Sequence, residues 1–526
     1  MKIYKIAAVF SLSIILIVAV SCEGFLPEDD NELELIDTPK DCTLAITGAY
    51  GKLGEAFHYH NILTVKSDDI NLIQANGSCY YNKILEVDAP EEFYRNIYKA
   101  VIMCNRLIYD RENYELSEEL NGFFGEAYFL RAYAYFKLTR IFGRIPLVTD
   151  IDVKYGTKRG SFREIYELII KDLETAVNLL PQDRFTSRIP GVTPHKGTVK
   201  VLLAEVYLTM AGYPLMDTEK YHLAAETARE VIENAESYGF GLVEDFADLW
   251  AWDSHENSES ILRFYKEPDK VRSDAPFYEE DWWSFMPSTE MNFFDSYPSG
   301  YRKEISLVTR YHHKRYYTVD STDYSQLLTI NVTTEHPCSF YNKCFGKKQT
   351  FNFETNLIHS NLDYIEHLDF QYRNTFRKNL STGENPPFST YHHLFRYAQT
   401  LLTYAEAKAR SGTPDKLAYK AVNMVRRRAA KLDISSPSEH DFFPGSMDNE
   451  TFADSVVAER AWELCHEFEG RWFDIIRLNL LEEIQSVRHP DDPEYSGLDV
   501  LFQGNKYFIP LPQVDLWLNP NLENNK

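Results

Sequence analysis

Apolar residues recur along most of this chain at spacings of three and four, and one stretch shows the pattern on two sides at once. Residues 125–138 carry Ala127, Leu130, Ala134 and Leu138 on one face and Phe129, Tyr133 and Phe136 on another, which predicts a helix packed on both sides. Phe142-Gly143-Arg144-Ile145-Pro146 ends it, because Gly suits the cap and a following Pro cannot continue the helix. Ser161 with Glu164 three positions on forms a capping box, opening a helix over 161–180 that Pro181 closes. Helix pairs are predicted at 196–211 with 219–236 and at 394–411 with 414–431, each pair joined by a short Gly/Pro turn. Repeated pairs of this length predict a mostly α fold, a tetratricopeptide-like helical solenoid, although the strict repeat consensus is missing.

Between about 243 and 393 the helical period is lost. Short aromatic and polar pieces replace it, with Trp250, Trp252, Trp282, Trp283, Tyr311, Tyr316, Tyr317 and Tyr324 among turns at Pro268, Pro276, Pro298, Pro337 and Pro386-Pro387. So long a block without strong elements is where function is expected, which makes 243–393 an irregular, loop-rich ligand-binding region. The helical repeats then occupy about 40–242 and 394–480. Leu498–Gly504 (LDVLFQG) looks like a protease tag site, but coherent sequence follows it and it is read as native.

The start of the chain has a different pattern. Lys2 and Lys5 precede an apolar run over 6–20 and then Ala19-Val20-Ser21-Cys22, a signal peptide over 1–21 whose small residues before a cysteine form a lipobox. Cys22 is expected to be acylated; an ordinary secretory signal beside a chance cysteine is the plainer alternative. The run is shorter than the roughly 20 residues of a spanning helix, so the membrane is expected to be engaged through the lipid anchor only. Residues 22–38 are acidic and turn-rich, as a solvated tether is, and resemble a surface-export signal of Gram-negative lipoproteins.

About 505 residues remain after cleavage, enough for a sizeable core. The formal charge of −24 becomes −26 once Lys2 and Lys5 leave, and no Lys/Arg-rich stretch interrupts it, which argues against a nucleic-acid partner. Cys42, Cys79, Cys104, Cys338, Cys344 and Cys465 lack C-x-x-C spacing, so neither a zinc ribbon nor a disulfide scaffold is implied. Cys338 and Cys344 are spaced either to pair across a loop or to remain two thiols.

Candidate chemistry is sparse. Glu459, Glu463 and Glu467 share one helix face at i, i+4, i+8, but Arg460, Arg471 and Arg477 lie among them, so a salt-bridge ladder is favoured over an acid/base pair. His466-Glu467 lacks the second His of H-E-x-x-H, and His312-His313 and His392-His393 point apart in either regular structure; no metal site and no cofactor are expected. No phosphate loop or nucleophile elbow appears, and no catalysis is expected. Aromatics are abundant, at 14%. Phe277-Tyr278, Trp282-Trp283 and Phe285, mixed with Glu279, Glu280 and Asp281, suit carbohydrate recognition by stacking and hydroxyl contacts, with core packing as the competing reading. Tyr311 and Tyr316 form a further candidate, unless the run they belong to is a strand with one buried face.

Five segments in order resemble the SusD/RagB family of outer-membrane nutrient-binding lipoproteins. Tyr94, Tyr98, Ile102 and Asn105 match its early W-x-x-x-Y…A-N helix, with Tyr for Trp and Cys104 for Ala. Residues 125–132 (GEAYFLRA) and 142–148 (FGRIPLV) are similar to GEA-x-FLRA…FG-x-(V/I)PL, and Lys196-Gly197-Thr198 with 203–208 (LAEVYL) to the next repeat. Arg396-Tyr397-Ala398 through Ala407 and Asn423–Ala429 match RYA-x-x-LL-x-YAEA and N-x-VR-x-RA. Glu459-Arg460…Asp474 and the motif within 507–525, with Ile509-Pro510 and Asn519-Pro520-Asn521-Leu522, resemble the C-terminal pieces. Such a SusD-like domain would span 39–526.

The resemblance implies eight helices as four tetratricopeptide-like units and a variable region that holds the ligand. It implies an outer-membrane, surface-exposed lipoprotein that captures a glycan for a partner SusC-like TonB-dependent transporter, with a peptide-binding RagB-like receptor as the alternative. It also adds Tyr80 and Tyr81, in a turn-rich loop where the family often contributes to its site. The charged motif residues Glu126, Arg131, Arg396, Glu406, Glu459, Glu463 and Arg471 are expected to be paired fold determinants rather than a site.

Overall fold

Among the described residues, eight long helices pack one on the next in four consecutive pairs. They are α1 (Pro39–Phe57) with α2 (Ala89–Asp110), α3 (Glu118–Phe142) with α4 (Phe162–Leu179), α5 (Lys196–Ala211) with α6 (Lys220–Glu233), and α7 (Tyr397–Ser411) with α8 (Lys416–Ala429). This computed structural model describes residues 38–57, 63–64, 66–69, 71–73, 89–111, 118–151, 156–250, 257–265, 286–288, 290–307, 311–318, 327–334, 391–487 and 505–522. Although more than 160 residues separate α6 from α7 in sequence, the two helices are neighbours. The solenoid is therefore continuous in space and interrupted in sequence. Two further helices, α9 (Asn449–Glu463) and α10 (Arg471–Arg477), follow, and α9 packs on α7.

Local chemistry explains where these helices begin. Ser161 Oγ accepts the Glu164 N–H at 3.2 Å while Glu164 Oε2 accepts the Ser161 N–H at 2.7 Å, the reciprocal box read from the sequence. Asp415 and Asp448 accept from Ala418 N and Thr451 N at 2.9 and 2.7 Å to start α8 and α9. α3 buries both predicted faces, from Ala127 and Leu130 to Phe129, Tyr133 and Phe136. Gly125 is required there: a Cβ would lie 2.7 Å from the Leu180 side chain, at the end of the neighbouring helix.

The shared motifs turn out to be clasps. Tyr98 donates to the Pro146 carbonyl at 2.7 Å, Asn105 Nδ2 to the Val148 carbonyl at 2.8 Å, and Tyr135 both donates to and accepts from Val148. The C-terminal segment closes over the same region, with Ile509 N–H on Ile141 O at 2.8 Å and Asn519 and Asn521 bonded to Thr157 and Gly156 carbonyls. Among the described residues no helix is long and apolar enough to cross a membrane, and Cys42, Cys104 and Cys465 are buried. Cys22, Cys338 and Cys344 lie outside the described residues.

Among the described residues, three small antiparallel sheets interrupt the helices: β1 (Asn71–Ile73) with β3 (Met286–Ser288), β2 (Ser260–Tyr265) with β6 (Tyr391–Arg396), and β4 (Tyr311–Thr318) with β5 (Leu327–Thr334). Here the sequence reading needs correction. Residues 394–396, expected at the start of a helix, finish β6, because pairing with β2 overrides their local preference. A smaller second core, built from Phe293, Phe294, Tyr297, Leu307, Ala461 and Cys465, ties the short helices around 291–306 to α9.

Candidate functional site

The chain leaves the helical frame after Tyr265 and returns at Tyr391, and these two residues face each other in the β2/β6 register. The β2/β6 pair is therefore the stem at which the chain leaves and re-enters the frame, and residues 290–307 are held to α9 as well. The stem's last residue, Arg396, anchors it. Arg396 Nη1 lies 2.6 Å from Glu259 and 2.9 Å from Glu463, and its Nε and Nη2 hold Glu467 at 2.6 and 2.8 Å. Arg428 bonds the same Glu259 and Glu463, and Arg302 bridges Glu463 and Glu459 at 2.9 and 2.6 Å. Arg426 completes the set on Glu459 at 2.9 Å.

Four arginines thus alternate with four glutamates beneath the stem. Burial alone would lower the Arg396 pKa, but Glu467, Glu463 and Glu259 hold it well above the ordinary guanidinium value. Glu459 and Glu463 raise Arg302 in the same way, against its desolvation. Trp250 and Phe246 place their rings over Arg396 and Arg428, 5.8 and 5.2 Å from the guanidinium carbons. Every carboxylate in this hub is engaged, so the arrangement is a rigid foundation rather than acid/base machinery.

The charged motif residues are paired, as expected. Arg131 binds Asp172 bidentately at 2.7 Å, and Glu126 is held by Arg188 at 2.7 and 2.9 Å. Glu406 pairs with Arg477 and Arg410. Arg471 takes Asp68 at 2.9 Å through two nitrogens, and Arg460 takes Asp474 and Glu205. Glu459, Glu463 and Glu467 are ion-paired, but α9 ends at Glu463, so Glu467 lies beyond the helix rather than on its face, and the cations are Arg302, Arg396, Arg426 and Arg428 instead of Arg460, Arg471 and Arg477; nothing in the sequence around Glu259 or Arg302 marks them as members.

Two further sheets organise the inserted region. In β1/β3, Ile73 pairs with Met286 and Asn71 with Ser288. At the Ile73/Met286 end the chain departs toward 74–88 and arrives from 266–285, so those two segments join the sheet at the same end. The first contains Tyr80 and Tyr81, the second Tyr278, Trp282, Trp283 and Phe285; these six residues lie outside the described ones. Tyr311 and Tyr316 belong to β4, paired with Thr334 and Thr329.

His393 is structural. Its Nε2 lies 3.2 Å from the Leu249 carbonyl and its Nδ1 2.8 Å from Ser260 Oγ, which assigns the proton to Nε2. Burial, with Arg396 nearby, pushes its pKa down to about 3, so it stays neutral. One group with metal-ligand chemistry occurs among the described residues, Asp69, Cys465 and His466 at the foot of β1. No local motif marks it, since Asp69 is far from the other two in the chain.

Comparison with known proteins gives a consistent result. A SusD-like family model described as "Starch-binding associating with outer membrane" matches residues 27–208, and the SusD family model matches 369–526. SusD-like protein P2 of Formosa agariphila is 26% identical over 553 residues, covering 99% of each chain. A SusD homologue from Bacteroides thetaiotaomicron superposes with a TM-score of 0.68 at 20% identity, over 94% of this chain and 97% of that one. A laminarin-binding SusD-like protein gives 0.62 at 17% identity, over 93% and 99%. A structure solved with xylogluco-oligosaccharide also gives 0.62 at 17% identity, over 92% and 98%. These solved structures share the fold.

Proposed function

From its place in the SusD/RagB family, to which this chain belongs, we propose that it is a cell-surface glycan-binding lipoprotein of the outer membrane, without catalytic activity. It captures an oligo- or polysaccharide and passes it to a SusC-like TonB-dependent transporter, held to the membrane through Cys22. The observation that carries this reading is the β1/β3 pairing, because it joins the Tyr80-Tyr81 loop and the Trp282-Trp283 segment to one end of one sheet. Flat aromatic faces suit the C–H faces of sugar rings, and the Glu279, Glu280 and Asp281 carboxylates suit their hydroxyls. Fold neighbours that bind laminarin or carry a xyloglucan fragment support a glycan as the ligand class.

The test is isothermal calorimetry of the soluble chain, cut after Cys22, against plant, microbial and host glycans and a peptide digest, with a reducing-end assay alongside. Saturable binding to one polysaccharide with no product on long incubation establishes the reading and names the ligand. Binding to peptides alone, or release of reducing ends, overturns it.

A further inference from the structure

Asp69, Cys465 and His466 each bring one metal-capable atom within 4.8 Å of the others. Two of them sit in the interior, with Asp69 2% and Cys465 0% exposed, and His466 is half-buried. A thiolate, an imidazole and a carboxylate form a ligand set suited to Zn²⁺, and three of them leave a fourth tetrahedral position for water. Ca²⁺ and Mg²⁺ take oxygen ligands, of which this group offers one side chain.

The surroundings hold these donors in orientation. His466 Nε2 lies against the Asp69 carbonyl. A carbonyl only accepts, so Nε2 carries the proton and Nδ1 the lone pair, the arrangement in which a backbone acceptor fixes the ring of a metal-binding histidine. Asp69 Oδ2 accepts the His466 N–H at 2.9 Å, and its Oδ1 accepts the Ser67 hydroxyl, so the carboxylate is oriented by two donors. His466 has a φ of 62°, the left-handed region that a side chain rarely adopts. On either side of it, Gly470 passes so close to the Leu464 carbonyl that a Cβ would sit 2.6 Å away, and Cys465 belongs to the second core with Phe293, Phe294 and Tyr297. The turn between α9 and α10 is thus built tightly around the two adjacent ligand residues.

We propose that Asp69, Cys465 and His466 bind one Zn²⁺ ion at the foot of β1, the Cys465 proton passing to solvent as the thiolate coordinates. The ion would join the 66–69 segment to the turn after α9, two residues before β1 begins. Its occupancy would then steady the sheet from which both proposed glycan-contact segments depart. Zinc binding stands independently of the glycan reading; only this last consequence rests on it.

The experiment uses the whole chain after Cys22, reduced and stripped with EDTA, then titrated with ZnCl₂ against a chromophoric chelator and separately with Co²⁺. One equivalent of zinc is expected, together with a near-ultraviolet thiolate-to-cobalt band and tetrahedral visible absorption. Cys465→Ser removes the thiolate band, and His466→Gln weakens zinc at least about tenfold, while Cys104→Ser changes neither. His466 is half-buried, so H466Q and the cobalt spectrum of the parent decide the matter if C465S misfolds. No stoichiometric uptake, or undiminished affinity in both H466Q and C465S, overturns the proposal and in the second case moves the ion to other side chains. Glycan calorimetry on the same samples reads the two proposals separately.

Discussion

Arg396 Nη1 lies 2.9 Å from Glu463 Oε1, and Arg396 Nη2 donates to the Glu463 backbone carbonyl at 3.0 Å. The last residue of β6 is thereby bonded to the last residue of α9, and both are buried. This contact joins the stem of the inserted region to the helical frame. Replacing Arg396 with Met would leave Glu259, Glu463 and Glu467 short of one cation in the interior. Breaking a buried pair in this way costs about 3–5 kcal/mol. Urea denaturation of Arg396→Met should show a loss of that order; a change below about 1 kcal/mol would mean that Arg428 and Arg302 compensate for it.

A second buried cluster predicts an asymmetry between partners. Glu469 accepts from Lys137 Nζ at 2.9 Å, from Tyr133 at 2.6 Å and from Arg140. Burial pushes the Lys137 pKa down to about 8, despite Glu469 beside it. Its charge therefore sits at a cost, and its Nζ lies 4.7 Å from the centre of the Phe473 ring. Lys137→Met, which fills the same channel and leaves Glu469 its Arg140 and Tyr133 partners, should change stability by less than about 1 kcal/mol. Glu469→Gln leaves two interior cations without their anion and should cost about 3–5 kcal/mol. Comparable losses in the two variants would contradict this account.

Acid sensitivity follows from two histidines kept neutral. Burial pushes both His195, whose Nδ1 caps α5, and His393 down to about 3. In the unfolded chain they take up protons near pH 6.5. Their contribution is therefore complete above pH 6.5 and is lost as pH falls from there toward 3, at about 1.4 kcal/mol per pH unit for each. His393→Asn should flatten the slope of unfolding free energy between pH 6 and 4 by about one proton. An unchanged slope would show that His393 ionises in the folded state.

How much of this was legible from the sequence depended on the range of the interactions. The start of α5 at Lys196, the Ser161–Glu164 box and the two buried faces of α3 were readable because periodicity and capping act within a few residues. The strand at 391–396 was not, since its partner lies more than 120 residues earlier and the segment has apolar helix-like spacing. Charged motif residues could be recognised as needing partners, yet not which: Arg396 finds Glu259 137 positions away and Arg471 finds Asp68 403 away. The Asp69, Cys465 and His466 group was invisible for the same reason. The aromatic candidates were conspicuous by composition, whereas the β1/β3 pairing that relates two of their segments rests on three-residue strands too short to leave a pattern.

That pairing makes the most specific prediction about the proposed glycan site. Trp282 and Trp283 stand four and three positions before Met286, and Tyr80 and Tyr81 follow Ile73 by seven and eight, so both pairs lie close in sequence to the same rung of β1/β3. Trp282→Ala with Trp283→Ala should weaken glycan binding at least tenfold, about 1.4 kcal/mol, while the melting temperature moves by less than about 2 °C. If the two segments contact one ligand, Tyr80→Ala with Tyr81→Ala should also weaken it. The combined variant should then depart from additivity by at least about 0.5 kcal/mol, as neighbouring contacts do. Strict additivity would assign the segments to separate subsites. A fall in melting temperature of many degrees, accompanying the loss of binding, would instead make the tryptophans core residues and remove the aromatic platform from the proposed function.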